Sequence, residues 1–178
     1  MAPITILWDW NGTLLDDTVA AVDTLNAMLD RRGLPRMKMD WYRANFRFPV
    51  RPFYESVGFR IRDDEWDALA LEYHQIYLQQ PKTLAKDAVA ALDLAQAAGA
   101  RQVVVSALRQ DLLEQDVAKQ GVGHYFYGLY GTHDLDGASK LAAARKAAAA
   151  LAGDRLVIIG DFGETYREEF SFAEAGAT

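Results

Sequence analysis

The chain has 178 residues, of which 51% are hydrophobic, and it can therefore bury one sizeable core with one modest insertion. Its formal net charge of −6 excludes the broad basic surface that nucleic acids and anionic membranes attract. It has no cysteine, which excludes disulfides, thiolate nucleophiles and zinc–thiolate sites and fits a reducing compartment.

The N-terminal residues show no targeting pattern. Met1, Ala2 and Pro3 run directly into an apolar segment, without a basic stretch or an apolar signal core. No uninterrupted apolar run in the sequence is long enough to span a bilayer. We therefore expect a cytoplasmic protein with no membrane partner.

The first predicted element is a strand at residues 4–8, "ITILW", which is apolar without polar alternation. This pattern is typical of a parallel strand that is covered on both faces. An acid, Asp9, follows at its carboxyl end. From Thr18 to about Arg31 apolar residues recur at helical spacing, which predicts an amphipathic helix with Asp17 as its cap.

Residues 39–80 are rich in aromatic side chains and arginine, and they contain a second predicted helix at residues 63–80, capped by Asp63 or Asp64. Arginines recur every four residues here, but the prolines at 49 and 52 interrupt any continuous helix. Two of these arginines, Arg47 and Arg51, are candidates for contact with a substrate carboxylate or phosphate. His74 and its aromatic neighbours are interpreted as packing residues.

After residue 81, predicted helices and strands alternate. The helices lie near 87–98, 110–120 and 139–151, and the apolar strand segments are 102–106, 125–130 and 155–160. This alternation predicts an open parallel sheet with right-handed crossovers. Its ligand crevice is expected at the carboxyl ends of the strands.

Chemically useful side chains follow several of these strands. Asp9, Ser106 and Asp161 come at strand ends, and Lys140 comes at the start of the alanine-rich helix. A lysine there opposes the helix dipole unless an anion is close, which favours Lys140 over Lys146 as a phosphate contact. Asp9 is a candidate nucleophile, Ser106 and Lys140 are candidate phosphate ligands, and Asp9 with Asp161 suits a divalent cation, most plausibly Mg²⁺.

These motifs resemble those of the haloacid dehalogenase superfamily. "DWNGTLLDD" is similar to its first motif, "VVVSA" to its second, Lys140 matches its third, and "VIIGD" is similar to its fourth. The likeness is greatest to the phosphoglycolate phosphatase-like branch. It implies an α/β fold, with a Rossmann-like core in residues 1–16 and 82–178 and a small inserted α-helical cap in residues 17–81.

The resemblance also implies a role for each motif residue. The carboxylate of Asp9 would form an aspartyl-phosphate, and Asp9, the main-chain carbonyl of Asn11 and Asp161 would bind Mg²⁺. Ser106 and Lys140, together with Asn11 and Gly12, would bind the phosphoryl group of a small phosphorylated metabolite. The hydroxyl of Thr13 would support the loop. The implied activity is hydrolysis of a phosphomonoester.

Two motifs depart from the family pattern. Asn11 stands where family phosphatases have a second acid. That acid protonates the leaving alcohol and later activates water, and an amide can do neither. Loss of such a group typically costs a factor of about 10²–10⁴ in rate, so we expect slow turnover. In the fourth motif Phe162 and Thr165 replace the usual threonine and acid, and Glu164 is a candidate substitute for that acid.

The resemblance also implies that this chain is short at its C-terminal end, because relatives generally continue into another strand and helix. Two alternatives to phosphatase activity stay open. One is phosphonatase-type or dehalogenase-type chemistry on the same scaffold, since relatives with those activities also lack the second acid of the first motif. The other is a non-catalytic protein that binds a phosphate ligand.

Overall fold

The computed structural model describes residues 2–47, 50–133 and 140–160. Asp161 and Glu164, which the sequence nominates for the site, lie outside this part of the chain, as do Phe162 and Thr165. The strands are β1 Ile4–Trp8, β2 Leu15–Asp16, β3 Thr83–Leu84, β4 Arg101–Arg109, β5 Gly128–Thr132 and β6 Arg155–Ile159. The helices are α1 Thr18–Asp30, α2 Met39–Asn45, α3 Val50–Ser56, α4 Trp66–Tyr77, α5 Ala88–Ala97, α6 Gln110–Gln120 and α7 Leu141–Ala150.

A parallel sheet with strand order β5-β4-β1-β6 forms the centre of the fold. Strand β1 lies between β4 and β6, and its last residue, Trp8, pairs with Val104 on one side and Ile159 on the other. The residue that follows β1 is thereby placed in the middle of the sheet's carboxyl edge. The predicted α/β fold with a parallel sheet is confirmed.

Helices cover both faces of this sheet. Successive residues of a strand point to opposite faces, so Leu7 and Trp8 enter different apolar clusters. The Trp8 cluster includes side chains of α5 and α6, such as Leu92 and Leu113, whereas the Leu7 cluster includes alanines of α7, such as Ala144. Burial on both faces explains why the strand sequences are apolar without alternation.

Helices α1 to α4, which we call the helical region, lie between β2 and β3 in the chain. These two short strands pair antiparallel, Leu15 with Leu84 and Asp16 with Thr83. The chain therefore enters and leaves the helical region at the same place. The helical region has an apolar cluster of its own. Its buried members are Leu25, Met28, Leu29, Met37, Phe53, Tyr54, Phe59, Trp66 and Leu69.

The structure differs from the predicted elements in a few places. Strand β4 runs on to Arg109 instead of ending at Ser106, although its pairing with β5 shifts register between Val105 and Arg109. Helix α4 begins at Trp66, after a 3₁₀ turn at Asp63–Glu65, and neither predicted aspartate caps it. Their carboxylates instead accept hydrogen bonds from Arg51 and Arg62, respectively.

Helix α2 ends before Arg47, so the regularly spaced arginines do not share one helix, as the prolines predict. Among the described helices, none has both the length and the apolar composition needed to cross a membrane.

Candidate active site

Asp9 lies at the carboxyl end of β1 and is only 1% exposed. Its backbone N–H donates to the carbonyl of Ile159 at 2.9 Å, which extends the pairing of β1 with β6 by one residue. Gly160 then passes directly against it, since a Cβ added to this glycine would collide with the Cβ of Asp9. The main chain of two strands therefore fixes the position of this acid.

Both carboxylate oxygens of Asp9 have close partners. The backbone N–H of Trp10 donates to Oδ1 at 2.8 Å, and the ammonium Nζ of Lys140 lies 2.6 Å from Oδ2. The hydroxyl of Thr13 donates to Oδ2 at 3.4 Å. Lys140 is 7% exposed, so the pair is a buried one, in which each charge compensates the other. The two groups predicted from the first and third motifs thus meet in space.

The loop after Asp9 is a tight turn. The carbonyl of Trp10 accepts hydrogen bonds from the N–H groups of Thr13, Leu14 and Leu15 at 2.9–3.3 Å. Gly12 has a φ of +72°, which a residue with a side chain rarely adopts. Its N–H points to the carbonyl of Leu15, 2.9 Å away. The glycine in this motif is therefore required by the shape of the turn.

Asn11 is fully engaged in hydrogen bonds at the junction with the helical region. Its Nδ2 donates to Oδ2 of Asp17 at 2.9 Å and to the hydroxyl of Tyr77 at 2.8 Å. Its Oδ1 accepts from the hydroxyl of Ser106 at 3.3 Å. One amide thus joins the β1 loop, strand β4 and helix α4, as only a group with both a donor and an acceptor can do.

Asp17 is a site residue that sequence reasoning missed. It precedes α1 as the predicted cap does, but its side chain makes no capping hydrogen bond. Instead, Oδ1 accepts from the N–H of Gly12 at 2.9 Å, and Oδ2 accepts from Asn11 and from the Tyr77 hydroxyl at 2.6 Å. In the sequence, Asp17 is visible as the second acid of "LLDD", but its position directly before a predicted helix is explained equally well by a helix cap.

Ser106 lies on β4 at the point where the register shifts, and it is 1% exposed. Besides donating to Asn11, its hydroxyl accepts from the N–H of Leu108 at 3.1 Å. The irregular pairing leaves this part of β4 beside the β1 loop. The structure therefore brings together Asp9, Asn11, Ser106 and Lys140, which come from three separate places in the sequence.

A cavity of about 330 Å³ lies between these groups and the helical region. Its floor consists of the β1 loop, Asp17, Lys140 and residues 107–108 of β4. Its roof consists mainly of aromatic and small apolar side chains from α1 to α4. The roof residues are Thr18, Ala21, Leu25, Tyr42, Phe46, Val50, Tyr54, Trp66, Ala70, Tyr73, His74 and Tyr77.

The tyrosines of the roof are protonated at neutral pH. Burial raises the pKa of all four, Tyr54 included, and the negative charge of Asp17 raises the pKa of Tyr42, Tyr73 and Tyr77 further. All three side chains therefore lie within the electrostatic field of one carboxylate. Their hydroxyls are neutral hydrogen-bonding groups, and that of Tyr77 is already bonded to Asp17 and Asn11.

His74 stays neutral for the same physical reason. Burial, and to a lesser extent the nearby positive charge of Arg109, lowers its pKa to about 4. Its Nδ1 is buried without a hydrogen-bond partner among the described residues. The sequence interpretation of His74 as a packing residue accounts for its burial but not for this unpaired buried nitrogen.

The structure does not bring Arg47 or Arg51 to the cavity formed by the described residues. The guanidinium of Arg47 donates to the carbonyls of Ala44 and Phe46, and that of Arg51 to the carboxylate of Asp63 at 2.6 Å. Their proposed contact with a substrate stays a prediction. Lys146, the rejected alternative to Lys140, is exposed.

A second buried ion pair lies behind the site. The ammonium of Lys82 is 2.7 Å from Oδ1 of Asp116, although the angles are not those of a hydrogen bond, and it lies 3.8 Å from the centre of the Tyr77 ring. Oδ2 of Asp116 accepts from the indole N–H of Trp10 at 3.3 Å. These contacts support Trp10 and Tyr77, and neither Lys82 nor Asp116 is among the residues that line the cavity.

Comparisons with known proteins agree with this architecture. The sequence profile of the haloacid dehalogenase-like hydrolases matches residues 6–162. No curated protein matches the chain. Among solved structures, a haloacid dehalogenase-like family hydrolase from Streptococcus pneumoniae is 17% identical, with a TM-score of 0.75 over 89% of this chain and 76% of that one.

Two further structures show the range of proteins that share the fold. A predicted phosphoglycolate phosphatase from Haemophilus somnus is 16% identical, with a TM-score of 0.69 over 90% of this chain and 77% of that one. Protein Tyrosine Kinase A from Mycobacterium tuberculosis is 21% identical, with a TM-score of 0.78 over 99% of this chain and 81% of that one. At these identities the likeness establishes the fold alone.

Proposed function

The chain belongs to the haloacid dehalogenase-like hydrolase family, and we propose that it is a magnesium-dependent phosphatase that acts on a small phosphomonoester through an aspartyl-phosphate. The observation that carries the proposal is the buried carboxylate of Asp9, whose Oδ2 lies 2.6 Å from the ammonium of Lys140. A nucleophile paired with a cation suits an anionic phosphoryl group, because the same cation stabilises the charge that is transferred.

In the proposed reaction, an oxygen of Asp9 attacks the phosphorus, and the bond between phosphorus and the alcohol oxygen breaks. The alcohol leaves with the bonding electrons and takes up a proton. Water then attacks the phosphorus of the aspartyl-phosphate, and the bond between phosphorus and the Asp9 oxygen breaks. Inorganic phosphate and the free carboxylate are released, and the proton that water loses goes to solvent. The hydrogen bond from Trp10 N–H and the contact with Lys140 would hold the carboxylate in position through both steps.

The residues near Asp9 fit a magnesium ion in their chemistry. The carboxylate of Asp9 and the main-chain carbonyl of Asn11 are hard oxygen donors, which Mg²⁺ prefers. Asp161 would complete the set but lies outside the described residues, within which no cluster of three or more acidic or histidine side chains suits a metal. When bound, Mg²⁺ would offset the negative charge of the phosphoryl group.

The amide of Asn11 is the reason that we expect slow turnover. Its amide cannot donate a proton to the departing alcohol, and its hydrogen bonds to Asp17, Tyr77 and Ser106 hold it in a fixed orientation. The leaving alcohol would then have to take its proton from water. We expect the rate to fall below that of a phosphatase with an acid at this position by a factor of about 10²–10⁴.

Binding without turnover is the second candidate function. It is favoured by the same engagement of Asn11, which leaves the floor able to hold a phosphoryl group but short of a positioned acid. Stabilisation of the protein by Mg²⁺ with orthovanadate, together with no release of phosphate from any phosphomonoester, would decide for this function.

The proposal is tested by measuring phosphate release from a panel of phosphomonoesters, with Mg²⁺ and with EDTA. We expect release only with Mg²⁺, and Asp9→Asn should reduce it below detection and prevent labelling of the protein by a ³²P substrate. Full activity in Asp9→Asn would refute the nucleophile. Release of halide from a haloacid without metal would instead support the dehalogenase alternative.

One control belongs to this assay. Asn11 precedes Gly12, a sequence prone to deamidation, and a trace of protein with aspartate at position 11 would imitate native activity. Intact-mass and peptide analysis of the assayed sample would detect it.

A further inference from the structure

We propose that the alcohol portion of the substrate is uncharged and aromatic, so that this cavity takes small arylalkyl or aryl phosphomonoesters in preference to phosphates that carry a second acidic group. The inference rests on the proposed phosphatase function and names its substrate class. It is carried by two properties of the cavity, namely its charge and the shape of its roof.

The charged groups on the described part of the cavity wall leave no cation for a second anion. They are the carboxylates of Asp9 and Asp17 and the ammonium of Lys140, and Lys140 lies against Asp9. His74 is neutral above its low pKa of about 4, and neither Arg47 nor Arg51 contributes to the wall. A substrate carboxylate in the roof would therefore be desolvated beside Asp17 without a positive partner, which is strongly unfavourable.

The roof offers flat aromatic surfaces. Ala70, Tyr73 and Tyr77 follow one another at helical spacing on the cavity side of α4, so a small residue opens space beside two rings. The rings of Tyr73 and Tyr77 are stacked, with centroids 5.6 Å apart and planes 15° from parallel. Opposite segments contribute Tyr42 and Phe46, whose rings stack at 4.9 Å.

Such walls favour a planar, apolar ligand, because ring contacts add to the gain from removing apolar surface from water. The volume, about 330 Å³, is near the lower end of the roughly 300–1,000 Å³ of small-molecule sites.

The substrate test compares three esters of primary alcohols, namely benzyl phosphate, propyl phosphate and phosphoglycolate, under identical Mg²⁺ and pH conditions. All have alkyl rather than phenolic leaving groups, which avoids favouring the aromatic substrate by an activated bond. We expect kcat/KM to decrease in that order, with benzyl phosphate at least about tenfold above phosphoglycolate. Equal or faster hydrolysis of phosphoglycolate would overturn the inference while leaving the phosphatase proposal intact.

A binding test separates the two proposals when no ester is hydrolysed. In thermal unfolding with Mg²⁺, benzylphosphonate should stabilise the protein more than phosphonoacetate at equal concentration. That result would support the inference about the cavity although the phosphatase proposal had failed. Equal stabilisation by both ligands, or greater stabilisation by phosphonoacetate, would overturn the inference.

Three variants test the aromatic wall itself. Tyr73→Leu should lower kcat/KM for benzyl phosphate about fivefold or more, with a smaller change for propyl phosphate, whereas Tyr73→Phe keeps the ring and should keep the preference. Tyr127→Leu is the matched control, because Tyr127 is exposed and lies outside the cavity. Equal losses for both substrates in Tyr73→Leu, in a protein that unfolds at the same temperature as Tyr73→Phe, would contradict the proposed wall.

Discussion

The floor and the roof of the cavity are built on different principles. The polar groups of the floor are few, and Asp9, Asn11 and Asp17 are each held by several hydrogen bonds or ion-pair contacts. The roof has many side chains, and most are aromatic and pack against one another. A reacting group must be placed within a fraction of an ångström, whereas a binding wall needs only a shape and a polarity.

The comparison predicts that changes in the floor alter rate and that changes in the roof alter selectivity or stability. The largest effect is expected for Asn11→Asp. The new carboxylic acid would occupy the position that lacks a proton donor, and turnover should rise by about 10²-fold or more. Steady-state kcat with a common phosphomonoester measures it, and Asn45→Asp, at an exposed asparagine, is the control.

The same change should cost stability in a pH-dependent way. Asn11 Nδ2 lies 2.9 Å from the Asp17 carboxylate, so an aspartate at position 11 would place two acids together and raise the folded-state pKa of the pair above the unfolded value. Relative to the parent, the variant should therefore lose stability as pH rises above about 4. Urea unfolding at pH 4 and pH 7 checks this.

No gain in kcat in a folded Asn11→Asp variant would mean that another group supplies the proton.

The next largest effect on rate, a loss, is expected for Gly160→Ala. The added methyl group would collide with Asp9 and shift the nucleophile, and a displacement near 1 Å typically costs about 10²-fold in rate. Gly153→Ala is a matched control, because Gly153 also has a positive φ, +96°, but has open space where the methyl group would lie. Similar kcat losses in both variants would show that backbone strain, and not contact with Asp9, is responsible.

Lys82→Met tests the support behind the floor. It would leave the carboxylate of Asp116, which is fully buried, without its cation, and such losses typically cost about 3–5 kcal/mol. The free energy of unfolding in urea measures the effect, and Lys86→Met, at an exposed lysine in the same segment, should change it little. A loss below about 1 kcal/mol would indicate that water reaches Asp116.

His74→Leu tests the roof through pH. Because the folded-state pKa of His74, about 4, is below the usual 6.5, the unfolded chain binds a proton first as pH falls. This side chain therefore removes up to about 1.4 kcal/mol of stability per pH unit between pH 6.5 and pH 4. His74→Leu should lose less stability than the parent over that window, whereas His124→Leu, at an exposed histidine, should follow the parent.

The smallest effect is expected at the outer surface of the helical region. Arg36 and Asp30 are 2.9 Å apart but remain 62% and 48% exposed. Exposed pairs of this kind contribute roughly 0–1 kcal/mol, so Arg36→Ala should change the free energy of unfolding by about 0.5 kcal/mol or less. A larger change in urea unfolding would mean that the distinction between buried and exposed charges fails here.

The sequence predicted the floor better than the roof. Apolar strands followed by polar residues mark the carboxyl edge of a parallel sheet, so Asp9, Ser106 and Lys140 were identified from local patterns, and the structure brings them together. The roles of Asn11 and Asp17 depend on how a turn folds against α4. Asp17 therefore appeared only as a helix cap, because position before a helix cannot reveal which amides its oxygens meet.

The roof depends on packing between distant helices, which spacing alone does not define. Trp66, Tyr73 and Tyr77 were predicted to pack, and they do, yet the sequence gives no sign that one side of this aromatic layer borders a cavity. For the arginines, the structure gives an explanation that the sequence did not, while their contact with a substrate stays a prediction. Charge made Arg51 a candidate, but its neighbour Asp63, twelve residues later, accounts for its position in the structure.

The hydroxyl of Tyr77 gives the molecule a mechanical link between α4 and the β1 loop. It forms hydrogen bonds with both Asn11 and Asp17, so α4 cannot move away from the β1 loop while those side chains keep all their partners. Access of a ligand by lifting this helix would release the amide next to the nucleophile at the same moment. The hydrogen-bond state of Asn11 therefore records whether the roof is closed, and its side-chain amide signals in NMR provide a local reporter of that position.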